Sequence, residues 1–209
     1  LGMGIYGAIP ATGKVTLSGK PVKLGNPRHG MAAGIGYVPD DRKRDALLLT
    51  RNILPNLSLP WLPSGRFSRL GVVDVKSEKA LARESVRDFS VRAPSIEFPV
   101  VQLSGGNQQK VVLARWFALR PKVVILAEPT RGIDVGAKSE IYGFMQDLAE
   151  EGAGILMISS EMPELLGVAD RILVMYQGRL CAEFDPREAG EEEIAHVACI
   201  GIKKIAGVD

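Results

Sequence analysis

Val123-Val124-Ile125-Leu126-Ala127, followed at once by Glu128 and Pro129, is the stretch on which the fold turns. It is unbroken apolar sequence, rich in β-branched residues and ended by a charge and a proline, the pattern of a buried strand in a parallel sheet. Similar short runs occur at Gly154–Ile158 (GILMI) and at residues 172–175 (ILVM). Between the first two, residues 137–150 place Ile141, Met145 and Leu148 at i, i+4 and i+7, one face of a helix. Strand, helix, strand is a βαβ crossover. An α/β core with a parallel sheet is expected, with ligands beyond the carboxyl ends of the strands.

Working outward, residues 15–22 (VTLSGKPV) read as a small hairpin around Ser18-Gly19, and Ile35–Val38 as a short strand. Residues 52–99 differ in character. They open on a segment broken by Pro55, Pro60 and Pro63, continue in a helix over 74–89 and end with Pro94 and Pro99. Asp74 is the expected N-cap of that helix, with Leu81, Val86 and Phe89 facing inward. This is a helical insertion. The organisation that follows is a core remainder with a small β subdomain over 1–50, the insertion over 51–103 and the rest of the core over 104–209. No internal repeat or low-complexity tract is evident.

Charge excludes several classes. Lys and Arg total 26 against 24 Asp and Glu, a net of +2, far from a basic nucleic-acid footprint. Apolar residues at 46% and charged residues at 24% are ordinary for a globular protein. The longest stretch without a charged residue, 52–65, carries three prolines and cannot be a bilayer-spanning helix. Residues 1–20 show no basic segment followed by an apolar run, so no signal peptide is expected; with no initiator Met, a truncated product is. Cys181 and Cys199 lack C-x-x-C spacing and His29 and His196 stand far apart, so a reducing cytosol and no structural metal are expected.

Chemistry begins at residues 103–110, LSGGNQQK, directly before the apolar stretch 111–119. A Ser-Gly-Gly turn opening a helix presents backbone N–H groups and a hydroxyl at the positive end of the helix dipole, a place for a phosphate oxygen. The same letters also describe an ordinary N-cap at Ser104.

Order separates the two. After LSGGNQQK come the strand VVILA, Glu128, then Pro129-Thr130-Arg131-Gly132-Ile133-Asp134, and after a further helix and strand Ser159-Ser160-Glu161. This succession resembles the nucleotide-binding domain of ATP-binding cassette (ABC) transporters: signature loop, Walker B strand ending in Glu, D-loop and switch segment. It is most similar to the second, C-terminal cassette of the ATPase subunits of ribose, galactose and xylose importers. The likeness rests on five pieces in order: GYVPDDRKRDAL (36–47), NLSLP (56–60), LSGGNQQKVVLARW (103–116), EPTRGIDVGAK (128–138) and ISSEMPELLGVADRILVM (158–175).

The resemblance implies a P-loop NTPase-like cassette with a parallel core sheet and a helical insertion. It implies that Ser104, Gly105, Gly106, Asn107 and Gln108 contact, in trans, the γ-phosphate of an ATP held by a facing cassette. Glu128 becomes the base that orients the attacking water, Asp40 the switch-position acid and Asp134 the D-loop aspartate. Asp40 reads equally as a turn carboxylate and Asp134 as a helix cap. Implied partners are another cassette, a transmembrane permease and, indirectly, a sugar-binding protein, with no nucleic acid; the implied place is the cytoplasmic face of the membrane, peripherally bound. ATP and Mg²⁺ are the implied cofactors, bound only in a dimer with a complete cassette.

Three departures qualify this. The phosphate loop G-x-x-x-x-G-K-[ST] is absent: at residues 7–15, GAIPATGKV, five residues separate the glycines, and Val15 stands in place of Ser or Thr. Residues 1–7 instead resemble the end of the helix that follows Walker A, so the resemblance implies a cassette truncated before the Walker A strand and loop, a strand the family places between the 154–158 and 172–175 runs. Ala127 takes the position of the Walker B aspartate, and a methyl cannot help hold Mg²⁺. Ser160 stands where active cassettes carry the switch histidine, and serine lacks imidazole's charge.

Arg42, Lys43 and Arg44 read as a solvated loop. Trp116 reads as core and Trp61 as core or interface anchor. Glu191, Glu192 and Glu193 open a last helix whose dipole Lys203 and Lys204 complement. The functional expectation is the ATP-binding component of a carbohydrate importer that lends its signature loop across a cassette dimer. The alternative is a non-catalytic assembly or regulatory half. A chromosome-maintenance ATPase shares a signature loop, but residues 40–104 leave no room for its coiled coil.

Overall fold

The computed structural model describes residues 1–62, 68–69 and 72–201. In chain order the elements are α1 (Gly2–Tyr6), β1 (Val15–Leu17), β2 (Lys20–Val22), α2 (Pro27–Ala33), β3 (Ile35–Val38), α3 (Ile53–Ser58), β4 (Ser68–Arg69), β5 (Val72–Val73) and α4 (Val75–Asp88). There follow α5 (Gly105–Phe117), β6 (Val123–Ala127), α6 (Val135–Glu150), β7 (Gly154–Ile158), α7 (Met162–Val168), β8 (Ile172–Tyr176), β9 (Arg179–Phe184) and α8 (Glu191–Ile200). They form two compact units, Leu1–Ile158 and Ser159–Asp209.

The first unit is built on a parallel sheet in the order β3-β6-β7, with Val38 opposite Leu126 and Ala127 opposite Ile158. Val123–Ala127 is thus the central strand, and Val124, Ile125 and Leu126 are fully buried. α6 makes the crossover from β6 to β7, with Ile141, Met145 and Leu148 as its buried face. Parallel register brings the ends of β3 and β6 to one rim of the sheet, so Asp40 and Glu128 follow strands that finish side by side. Among the described residues β7 pairs on one side only, with β6, and Ile155, Leu156 and Met157 are no more than half-buried.

The hairpin β1-β2 turns at Ser18-Gly19, both with positive φ, as two-residue hairpins require. Asp74 caps α4 by accepting from the N–H groups of Lys76 and Ser77. α4 buries Ala82 and Ser85; Phe89 is buried just beyond its end, while Leu81 and Val86 are half-buried. The base of the insertion is closed by backbone bonds from Ile53 N to Phe98 O (3.1 Å), Leu54 N to Ile96 O (2.9 Å) and Val100 N to Arg51 O (3.2 Å). Trp61 and Trp116 both belong to the core, and the Trp61 indole N–H donates to Arg115 O at 2.8 Å.

In the second unit the run at 172–175 departs from the other two: β8 pairs antiparallel with β9 through a turn at Gln177-Gly178. Its outward residues explain the difference. Leu173 and Met175 are exposed while Ile172 and Val174 are buried, an alternation that a strand covered on both faces does not show. Ile194 and Val197 of α8 complete this small core with Ala182 and Phe184. Lys203 and Lys204 lie outside the described residues.

Candidate functional site

Ser104 caps α5, a helix of 13 residues, and Gly105 and Gly106 form its first turn, where backbone N–H groups have no acceptor within the helix. The Ser104 Oγ accepts from Asn107 Nδ2 at 2.9 Å and from Asn107 N at 3.4 Å. Asn107 is itself held, its Oδ1 accepting from Arg92 N at 2.7 Å. With both its lone-pair directions engaged, the Ser104 hydroxyl has its proton left to donate outward. A serine donor beside two free N–H groups, at the positive end of a helix dipole, suits an anion.

This turn opens on a cleft of about 290 Å³ lined by Ser104, Gly106, Asn107, Asp134, Lys110 and Glu140, among others. Asp134 caps α6, accepting from Ala137 N at 3.0 Å, and so forms the opposite wall. Gly106 is what lets the two helix starts meet: a Cβ there would sit 2.9 Å from Ala137 Cβ. Lys110 is buried, donates to Ser90 O at 3.2 Å and pairs with the Glu140 carboxylate, so its charge is neutralised in place. Gln108 turns away into the core, where its Nε2 donates to Val100 O at 3.2 Å.

Glu128 follows β6 with φ at 48°, a left-handed conformation unusual outside glycine. Its N–H donates to Ile158 O at 2.7 Å and its carbonyl accepts from Arg131 N at 3.2 Å, which hold it there. Such strained residues concentrate at functional sites. Asp40 lies on the same rim, 4.0 Å from Arg131 across a mostly exposed pair. Ser160 is exposed near the start of the second unit, beside Ser159, whose hydroxyl donates to the Glu164 carboxylate.

Arg42 is not a solvated loop residue but half-buried at the first position of a π-turn, Arg42–Ala46, closed by Leu47 N donating to Arg42 O at 2.8 Å. Asp41 caps that turn through the N–H groups of Lys43 and Arg44. The Arg42 Nη1 donates to Arg131 O at 3.0 Å, and burial draws its pKa down, against the opposing charge of Asp41. Lys43 and Arg44 are exposed, as expected of a loop.

Sequence reasoning also passed over Arg115, the one charged residue between Val111 and Phe117. It is buried, and burial brings its pKa down to about 10. Its Nε donates to Asn56 O at 2.7 Å, its Nη1 to Ala46 O at 2.6 Å and its Nη2 to Asn56 Oδ1 at 3.4 Å. Asn56 in turn holds Leu48 N, Leu48 O and Asn52 O. A lone charge inside an all-apolar helix segment was the available signal, since such a charge must find partners.

The fit to a nucleotide is one-sided. Gly7 ends α1 with its Cα against the Asn26 backbone, where a Cβ would come within 2.8 Å, and a hairpin strand follows Lys14, so no phosphate cradle forms there. Among the described residues no group of three or more His, Cys, Asp or Glu could hold a metal ion, and β6 ends in Ala127. The α5 turn offers donors to a phosphate, while Ala127 at the end of β6 offers no ligand to Mg²⁺.

A family model for the ABC transporter matches residues 3–131. The ribose import ATP-binding protein RbsA 1 of Agrobacterium fabrum is 47% identical over 189 residues, which are 90% of this chain and 37% of that protein. The ribose import ATP-binding protein RbsA of Bacillus subtilis is 44% identical over 190 residues, 91% of this chain and 38% of its own length. The chain therefore spans well under half of the curated relatives it matches. A dimeric ATP-binding cassette in a post-hydrolysis state, bound to ADP and Pi, superposes with a TM-score of 0.70 at 21% identity, over 87% of this chain and 76% of that one. CbiO1 of Clostridium perfringens, part of an ABC transporter complex, superposes at 0.69 and 21% identity, over 94% and 76% of the two chains. At that identity the superpositions speak for the fold alone, the α/β, P-loop NTPase-like fold of ABC cassettes. With the family model covering residues 3–131 and the signature turn, β6 and the D-loop in their expected order, this chain belongs to the ABC transporter family.

Proposed function

We propose that this chain is part of the ATP-binding subunit of a bacterial carbohydrate importer, and that it closes against a complete cassette and presents its signature turn to the ATP held there. The observation that carries this is Ser104, oriented as a donor by Asn107, beside the first-turn N–H groups of Gly105 and Gly106 on the rim of the Asp134 cleft. Donors fixed before the reaction act where charge develops on a transferring phosphoryl group. Bound between the cassettes, MgATP supplies the phosphoryl group and the metal that offsets its charge. Among this chain's residues, Ser104, Gly105, Gly106 and Asn107 would bind and orient, Asp134 would run along the seam, and Gln108 would hold the turn from behind. Asp40 and Ser160 would sense closure at the switch positions. Glu128 is the carboxylate suited to orient a water.

The sugar-import names of the relatives support the cargo class, and the helical insertion over 51–103 is the natural contact for a permease. Such a subunit works at the cytoplasmic face of the membrane and serves a sugar-binding protein indirectly. A second reading, a non-catalytic assembly half, is favoured by Ala127 and by the packing of Gly7 on Asn26. ATP turnover of the chain paired with a complete cassette, with and without Ser104→Arg, decides between them. The signature reading expects turnover to collapse in the variant, and unchanged turnover supports the assembly half.

A further inference from the structure

Arg42 joins three segments that the proposed function treats separately. Its π-turn follows the switch residue Asp40, its Nη1 donates to Arg131 O in the D-loop at 3.0 Å, and its Nη2 fills the place a side chain at Gly105 would take, 2.8 Å from where that Cβ would be. Gly132 O lies 3.5 Å from the same point, so the guanidinium is wedged between signature turn and D-loop. Its Nε is buried with no partner among the described residues. Holding a cation there has a desolvation cost, which a merely structural link between two loops does not require.

We propose that Arg42 is a positioning residue that locks the signature turn to the D-loop, and that Gly105 lacks a side chain so that the Arg42 guanidinium can lie against it. This rests on the signature turn acting in trans. The far end of the π-turn is fixed by Arg115 donating to Ala46 O at 2.6 Å, so the strap is anchored at both ends and closes onto α5. The planar fork of guanidinium is what permits one side chain to bond Arg131 O and cover Gly105 at once. A lysine ammonium can make the bond or fill the space, not both. The phosphate cradle that binds ATP in the ground state belongs to the partner, so loss of the lock should appear in kcat rather than KM.

The test uses the chain paired with a complete cassette. Arg42→Ala should lower kcat at least ten-fold with KM for ATP within two-fold, and Arg42→Lys should not restore it. Gly105→Ala should displace the guanidinium and lower kcat comparably, and the double variant should be no worse than the poorer single. Ser104→Arg is the control for the underlying reading: if it leaves turnover unchanged, the signature role and the lock fall together. If it abolishes turnover while Arg42→Ala stays within two-fold, or Arg42→Lys is fully active, or the two losses multiply, the lock alone is wrong. An independent readout is amide exchange in the chain by itself. Arg42→Ala should speed exchange at Gln108, Arg131 and Ile133, whose N–H groups are bonded within the signature turn and the D-loop, at least ten-fold while Val111, Val112 and Leu113 stay protected, and unchanged rates at those three amides overturn the proposal.

Discussion

Two glycine-bearing loops of this molecule carry similar letters and are built differently. At residues 7–15 the glycine is spent on packing: Gly7 ends a helix of 5 residues in the left-handed region, at φ 88°, against the backbone of Asn26, and Lys14 is exposed before a strand. At residues 104–107 the glycines start a long helix whose capping hydroxyl is aimed by a neighbouring amide. That helix is then pinned from behind by the buried side chains of Gln108, Lys110 and Arg115. Glycine permits close approach and no more; the element that follows it, and the rigidity of that element, decide whether an anion has anything to bind.

The comparison breaks most sharply at its support. Arg115→Met keeps the bulk but leaves Ala46 O and Asn56 O, both met by the guanidinium, without their donor in a buried setting. The expected loss is about 2–5 kcal/mol of unfolding free energy, from two buried carbonyls left unpaired, read as a fall in the urea midpoint. Lys14→Ala in the first loop should move the midpoint by no more than about 0.5 kcal/mol equivalent. A variant at 115 as stable as the parent would mean α5 is not braced by that charge, and the contrast between the loops would lose its basis.

A smaller effect is expected at Gly106. Its Cβ would meet Ala137 Cβ at 2.9 Å, backbone-anchored on both sides, so Gly106→Ala should force α5 and α6 apart at a cost of about 1–3 kcal/mol. Thermal or urea unfolding measures it directly. Should the variant lose turnover in the paired cassettes with its stability intact, Gly106 is needed for backbone approach to the ligand rather than for helix packing. That outcome would move the comparison from packing to chemistry.

These two positions also mark what the sequence could disclose. The caps at Ser104, Asp74 and Asp134, the hairpin at Ser18-Gly19 and the βαβ unit were legible because each depends on residues within a few positions, or on a simple period. The order of motifs was legible for the same reason. The Arg115 web and the Arg42 lock were not, because Arg115 meets Ala46 and Arg42 meets Arg131 across 69 and 89 positions. Charge runs such as Arg42-Lys43-Arg44 read as solvated by default, and only the fold tells which member turns inward. The run at 172–175 had the letters of a core strand and still paired antiparallel, since four residues do not specify what covers the second face.

The smallest expected effect is the most telling. Ala127 sits at the end of β6, and Ala127→Asp returns the carboxylate that cassettes use to help hold Mg²⁺. If the missing metal ligand alone kept this chain from nucleotide, the substitution would create binding. The structure argues otherwise: the phosphate chain would still have no backbone cradle, because Gly7 is committed to Asn26 and the segment after Gly13 enters a hairpin. A new aspartate beside Glu128, with no cation between them, would instead face like-charge repulsion that favours its protonated form. Calorimetric titration of the chain with Mg-ATP should therefore give no dissociation constant tighter than the millimolar range, for the parent and for Ala127→Asp alike. A micromolar constant for the parent would place a working phosphate site somewhere in residues 1–209. One for the variant only would show that the first loop can fold around a triphosphate once a metal is held nearby, and would erase the distinction between the two loops.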